Sequence, residues 1–332
     1  MSKYVKSALF FCFLIQSLGF SQENKIVTRT AKLMGSRFEI TLVSNQEEAN
    51  LHLDIAQKEI ERIEKLISSW DPNSETSAIN KNAGERPVKV SQELFGLIER
   101  CIQISKVTQG AFDISYAALD PVWVFDGSMK TLPSPEQLQT SVAHINYKEI
   151  QLDAFNNTVF LPKKGMKIGF GAVGKGYAAD ATKKYLQSMG IKAGIINASG
   201  DLTTWGKKPD GTDWQVGISN PENPSKVFSW FPVKDAAVAT SGNYEKYVTL
   251  NGKRYSHIID PRSGMPISGI KSVTVFAPMG ELADAFATAV FIMGIDIGIN
   301  TISQLPGMSC IIVDADNKIH YSPNIEVTET QN

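Results

Sequence analysis

An excess of charge is what this sequence most plainly lacks: 33 lysines and arginines stand against 34 aspartates and glutamates, for a formal net charge of −1. Nucleic acid and anionic membrane surfaces both require a dense basic face, so neither is the main partner such a composition suits. Tracts rich in Gly/Ser, Gln/Asn or Pro are absent, and so is any internal repeat. Cysteine is scarce. Cys12 falls in the leader described below, which leaves Cys101 on an apolar helical stripe and Cys310 at the head of the strand-like run Cys310-Ile311-Ile312-Val313. Two buried free thiols or one disulfide account for them, and neither has the surroundings of a nucleophile. What is left, 332 residues with 42% hydrophobic and 20% charged, suits one large domain or two intimately packed subdomains.

The first residues stand apart from the fold. Lys3 and Lys6 form a basic start, Ala8 to Phe20 an apolar stretch too short to span a bilayer comfortably, and Gly19 and Ser21 are small residues placed for cleavage. Residues 1–21 therefore read as a secretory signal peptide, with a short uncleaved anchor as the alternative. A domain over 22–321 and a polar, frayed C-terminal tail over 322–332 complete the expected organisation. The mature protein is expected to be exported, to the periplasm or beyond.

Residues 36–43 alternate, with Phe38, Ile40 and Leu42 on one face, which predicts a strand. Leu53, Ala56, Ile60, Ile63 and Ile67 repeat at helical spacing and predict an amphipathic helix over 47–69. Further helices are expected from Ser91 to Thr108, from Gly176 to Met189, and from Glu281 to Met293, closed by Gly110, Gly190 and Gly294. Short strands are expected at 193–197, 213–219, 235–240, 254–259, 271–277 and 309–313, while 111–165 reads as irregular and aromatic. Strands and helices mix without strict βαβ alternation, so the fold class is α+β.

Gly169-Phe170-Gly171-Ala172-Val173-Gly174-Lys175-Gly176 fits G-x-G-x-x-G literally and misses a Walker A loop only at Gly176, where Ser or Thr is needed. No acidic residue lies about twenty positions on, and the hydroxyl for Mg²⁺ is missing, so both nucleotide-fold readings weaken. The physics common to both remains: backbone that can approach an anion, followed by the positive end of a helix. A merely structural turn is the plain alternative. Asp284 and Thr288 sit four apart on a predicted helix, a carboxylate and a hydroxyl suited to Mg²⁺ or Ca²⁺ and not zinc. An Asp there could equally complement the helix dipole. His257 and Arg262, in Ser256-His257-Ile258-Ile259-Asp260-Pro261-Arg262-Ser263-Gly264, suit phosphate chemistry, although a lone histidine is more often structural. Gly110-Ala111-Phe112-Asp113 and Asn197-Ala198-Ser199-Gly200-Asp201 are turn-like, each with a carboxylate past small residues. Trp70, before Asp71-Pro72, could stack on a planar ring or belong to the core.

In this order, those segments resemble the ApbE-type FAD:protein FMN transferases, formerly called thiamine-biosynthesis lipoproteins. The resemblance runs from Met34-Gly35-Ser36 through Ser69-Trp70-Asp71-Pro72-Asn73-Ser74, Gly110 to Asp113, Gly174-Lys175-Gly176-Tyr177-Ala178, Asn197 to Asp201, Ala239-Thr240-Ser241-Gly242-Asn243-Tyr244, Ser256 to Gly264 and Asp284 to Thr288, to the strand around Ile312. It implies two closely packed subdomains of T-fold-like architecture. It also implies FAD contacts at Met34, Trp70, Ala111, Phe112, Asp113, Lys175 and Ile258, with His257 beside the pyrophosphate. Mg²⁺ would be held by Ala172 and Ala287 through backbone and by Asp284 and Thr288. Gly169 departs from the acidic residue usual in the family, Ser199 and Gly174 depart from its common glycine and alanine, and no lipobox cysteine ends the leader.

The reaction so implied moves FMN from FAD to a Thr or Ser hydroxyl of a separate exported or membrane-associated acceptor protein, with AMP leaving. His257 and Asp284 are the expected catalytic residues. An FAD pyrophosphatase and a non-catalytic exported FAD-binding protein remain as alternatives.

Overall fold

Alternating apolar and polar residues build one eight-stranded antiparallel sheet whose spatial order follows the chain. Its strands are β1 (Lys25–Leu33), β2 (Ser36–Ser44), β3 (Gly194–Ala198), β4 (Asp201–Trp205), β5 (Ala237–Gly242), β6 (Ile270–Ala277), β7 (Ser309–Asp314) and β8 (Ile319–Tyr321). The structure, a computed structural model, describes residues 24–45, 47–220 and 223–325. The expected signal peptide lies outside the described residues. In β2, Phe38, Ile40 and Leu42 are fully buried on one face, as their alternation predicts. β1 and β2 are joined by the two-residue turn Met34-Gly35, with φ of 49° and 69°. Positive φ at both positions matches the twist of the hairpin, and for methionine it is an uncommon conformation.

The helices are insertions between strands. Between β2 and β3 come α1 (Ala49–Ile67), α2 (Glu75–Lys81), α3 (Gln92–Val107), α4 (Pro135–Val142) and α5 (Gly174–Ser188). Between β6 and β7 come α6 (Gly280–Met293) and α7 (Ile295–Ser303). The apolar stripe of α1 is buried at Leu53, Ala56, Ile60, Ile63 and Ile67. Ser91 caps α3 by accepting the Leu94 N–H, which fixes the start read from the sequence. The core forms two main clusters. One gathers Phe38, Ile40, Leu42, Ile60, Leu186 and Trp205; the other gathers Leu97, Ile98, Val275, Phe286, Phe291 and Ile312. Met34 packs against both. Mixed helices and strands make the fold α+β.

Residues 111–165 depart from the irregular expectation. They hold a 3₁₀ helix (Ile114–Leu119), α4, and the strands Gln151–Asp153 and Thr158–Phe160, the latter also pairing with Val88–Lys89. α4 buries no residue, so it has no apolar period to read, and only its Ser134/Gln137 capping box marks it. At the other end, Ser322 is buried and exchanges hydrogen bonds with the backbone of Cys310, so the first tail residues are pinned to the sheet. Cys101 and Cys310 are both buried and free.

α5 and α6 approach each other at two glycines, Gly176 and Gly280. A Cβ on Gly280 would stand 2.7 Å from the Gly176 carbonyl oxygen, and one on Gly176 would overlap the Gly280 carbonyl. The only relief is to push the helices apart. Gly176→Ala should therefore lower stability by about 3 kcal/mol, as overpacking against rigid backbone does. Gly96→Ala, in α3 with only the end of Arg100 nearby at 3.4 Å, should be neutral or stabilise by up to about 1 kcal/mol. Urea unfolding of both variants checks the contrast.

Candidate active site

The glycine-rich run leads into α5 through a turn that is held from behind. Gly169 N–H donates to the Ile114 carbonyl at 2.9 Å, and Gly171 N–H to the Tyr116 hydroxyl at 3.1 Å. A side chain at Gly171 would overlap that hydroxyl. At the start of α5 the anion is the protein's own: Gly176 N–H donates to Oδ2 of Asp284 at 3.0 Å. α5 returns the arrangement, because Asp180 accepts from Gly280 N–H and Glu281 N–H, each at 2.9 Å, and from the Thr203 hydroxyl at 3.0 Å. Each helix thus caps the other's N-terminus with a carboxylate.

Asp284 is 5% exposed. Burial, and then the neighbouring Asp201, lift its pKa to about 7 against the opposing pull of Lys175 and the Gly176 N–H. Lys175 is closed onto the buried Asp201 as an ion pair, and Asp201 also accepts the Thr240 N–H at 3.2 Å. Burial works against the Lys175 charge, but Asp201, Asp284 and Glu245 outweigh it and hold its pKa above the ordinary lysine value. One helical turn beyond Asp284, the Thr288 hydroxyl lies 3.2 Å from that of Ser241 in β5. Ala172 lies in the glycine-rich turn, and Ala287 is buried between Asp284 and Thr288.

The oxygens that could act as donors are hard: the Asp284 carboxylate, the Thr288 and Ser241 hydroxyls and, as the resemblance implies, the carbonyls of Ala172 and Ala287. That chemistry fits a hard divalent cation, and a buried carboxylate whose pKa is raised gains most from a nearby positive charge. Among the described residues no group of three or more His, Cys, Asp and Glu side chains could hold a metal by itself. A cation at Asp284 would therefore share its shell with neutral oxygens, water and ligand.

His257 follows the strand Lys253–Ser256. Its backbone N–H and its ring Nδ1 both reach the Lys246 carbonyl, at 3.0 and 3.1 Å. A carbonyl can only accept, so in the neutral ring Nδ1 carries the proton and Nε2 keeps its lone pair. Burial pushes the imidazole pKa below its ordinary 6.5, and the charges of Lys246 and Lys175 add to the shift. Lys175, the partner of Asp201, is thus one of the charges that the ring feels.

The remaining expected residues fall in different settings. Met34, held by an N–H bond to the Glu64 carboxylate at 2.9 Å, lies with its methyl group 3.6 Å from the position a Cβ on Gly174 would take. Trp70 is 77% exposed, so the core explanation of it fails. Ala111, Phe112 and Asp113 are buried, and both Asp113 oxygens are engaged, one by the Ser115 N–H and hydroxyl and the other by Tyr147 N–H. That carboxylate serves the 3₁₀ helix which carries Tyr116. Ile258 is buried, with its carbonyl accepting Ile267 N–H at 2.9 Å. The sequence reading gave no role to Asp180, Tyr116 or Ser241. Ser241 lies in the run Ala239 to Tyr244 that carries the resemblance, whereas Asp180 has no local signal because its backbone partners are 100 and 101 residues away.

Comparison with known proteins bears directly on this arrangement. The model of the ApbE family matches residues 34–312. A Klebsiella pneumoniae (strain 342) protein named FAD:protein FMN transferase is 30% identical over 299 residues, covering 90% of this chain and 92% of that protein. A Treponema pallidum (strain Nichols) protein of the same name is 27% identical over 344 residues, covering 97% and 94%. The crystal structure of the ApbE protein of Thermotoga maritima superposes with a TM-score of 0.84 at 30% identity, over 90% of this chain and 97% of that one. The chain belongs to the ApbE family. Its ApbE match opens at Met34 and closes at Ile312, and so encloses every site residue discussed above.

The histidine geometry has a direct readout. In ¹⁵N-histidine-labelled protein, His257 should appear as the Nδ1–H tautomer and titrate with a midpoint below 6.5. An Nε2–H tautomer, or a midpoint above that value, would contradict the placement of Nδ1 on the Lys246 carbonyl.

Proposed function

We propose that this chain is an exported FAD:protein FMN transferase that uses Mg²⁺ and joins FMN to a Ser or Thr hydroxyl of a separate acceptor protein. The observation that carries the reading is Asp284: a buried carboxylate held by a helix N-terminus, one turn before Thr288, in an ApbE-family chain. FAD is the substrate. The acceptor oxygen attacks the FMN-side phosphorus, a new P–O bond forms, the pyrophosphate P–O bond breaks, and AMP leaves. The acceptor's proton passes to His257 Nε2, which is unprotonated at neutral pH for the reasons given above. Asp284, Thr288 and the carbonyls of Ala172 and Ala287 are the groups that would hold Mg²⁺. When bound, the ion offsets charge on the phosphate oxygens. Lys175, paired with Asp201, supplies a fixed positive charge felt by Asp284. The leader of residues 1–21 fits export to the periplasm.

Incubation with FAD, MgCl₂ and a candidate acceptor should raise the acceptor's intact mass by that of FMN less water and release one AMP per acceptor modified. Release of FMN with AMP and no change in the acceptor would instead support a pyrophosphatase. Asp284→Ala should fold, keep measurable FAD binding and lose transfer by several orders of magnitude, with Asp284→Asn behaving alike because the charge is gone. Thr288→Val should lose less, since water can replace one neutral ligand. Near wild-type transfer by Asp284→Ala at saturating Mg²⁺ would sink the assignment. Trp70→Ala, at a largely exposed position, should leave the fold intact and weaken FAD binding by about 1–3 kcal/mol if the indole stacks on a ring.

A further inference from the structure

Trp70 is an exposed indole with one face already engaged. The Lys167 ammonium sits 4.8 Å from the ring centroid and is paired with Asp120 Oδ2 at 2.5 Å. A surface lysine ordinarily keeps its head in water, yet the Lys167 side chain is only 26% exposed and that of Asp120 only 19%. The pair is built in, and the indole and the ammonium are both positioned from α2. On one side, Ser68 Oγ accepts the N–H groups of Trp70 at 3.2 Å and Asp71 at 3.0 Å, which sets the loop leading to the Ser74 cap of α2. On the other, the Asn80 side chain of α2 makes two hydrogen bonds to the backbone of Ile168, at 2.8 and 2.9 Å, next to Lys167. Asp120 ends the 3₁₀ helix whose Tyr116 hydroxyl braces Gly171 in the turn that leads into α5, where Gly176 N–H meets Asp284. The indole, the ammonium and the glycine-rich turn are therefore held in one frame.

We infer that Lys167 and Asp120 are positioning residues for FAD: they fix one face of the Trp70 indole so that its open face receives a planar ring of the substrate. The inference rests on the proposed reading of the chain as an FAD-using enzyme and extends it to two residues that carry no role in that reading. The ammonium holds the ring by cation–π attraction, and Asp120 holds the ammonium. A ring already oriented loses less freedom when a ligand stacks on it, so the effect belongs in FAD affinity and not in the chemical step.

The test is FAD binding by fluorescence titration, with steady-state transfer kinetics, on the full mature chain. Lys167→Met keeps the length of the stem and removes the charge. It should raise the Kd and KM for FAD roughly 3–10-fold while kcat falls far less, which is the size expected of one cation–π contact. Asp120→Asn should shift both constants in the same direction, and Lys167→Arg, which can also stack, should restore them. A purely structural role would lower stability and kcat along with affinity and would not divide KM from kcat. Wild-type affinity in both Lys167→Met and Asp120→Asn, with the wild-type protein binding FAD, would overturn this inference alone. A wild-type protein that binds no FAD would overturn the functional reading and this inference with it. If Lys167→Met fails to fold, Asp120→Asn carries the decision by itself.

Discussion

Everything at the site depends on the exchange of carboxylates between α5 and α6. Two helix N-termini brought together present unpaired N–H groups and like partial charges, an arrangement that is unfavourable unless anions are placed between them. Asp284 answers Gly176, and Asp180 answers Gly280 and Glu281. Charge-assisted bonds of this kind contribute about 1.5–3 kcal/mol each, and a buried donor left without its partner costs a comparable amount. The exchange is possible only because glycine occupies both positions of closest approach. It also fixes the slide of one helix along the other, so Asp284 and Thr288 are located by a backbone contact and not by their own side-chain preferences.

The sheet completes what the helices begin. β4 contributes Asp201, which holds Lys175, and Thr203, which braces Asp180; β5 contributes the Thr240 N–H to Asp201 and Ser241 to Thr288. Asp201 and Asp284 repel each other, and Lys175 lies between their demands: it is ion-paired with the first and lowers the proton affinity of the second. The resulting carboxylate has a pKa of about 7, poised so that a nearby positive charge decides its ionisation.

What could be read from the sequence follows from how local each signal is. The helical stripe of α1, the alternation in β2, the Ser91 cap and the glycine stop at Gly294 are contained within a few turns or residues, and each element stands where its signal placed it. α4 and the short strands around 151–160 escaped because they are brief and carry almost no buried period. At the site, Asp284 with Thr288 and the glycine-rich turn were legible because their chemistry lies in their spacing. The turn's partner was not. Helical spacing and glycine content indicate that an anion belongs at the head of α5, but that the anion is Asp284, 108 residues on, is a fact of packing. Trp70 shows the same limit: its neighbours in sequence do not reveal Lys167 on its ring.

One consequence of the helix exchange bears on the choice of ion in the proposed reaction. Oδ2 of Asp284 is committed to the Gly176 N–H, so a cation approaching this carboxylate meets Oδ1 with its partner oxygen already engaged. Oδ2 keeps a second lone pair, but a cation drawn to it would compete with the bond that holds the two helices in register. Ca²⁺ sites commonly draw on bidentate carboxylates within shells of six to eight oxygens, whereas Mg²⁺ accepts a single carboxylate oxygen, keeps several waters and completes its octahedron with substrate phosphate. For the proposed reaction, a carboxylate with one oxygen already hydrogen-bonded, set among hydroxyls and carbonyls, would suit the smaller ion. The constraint that orders the helices would thus also bear on which ion the proposed site takes.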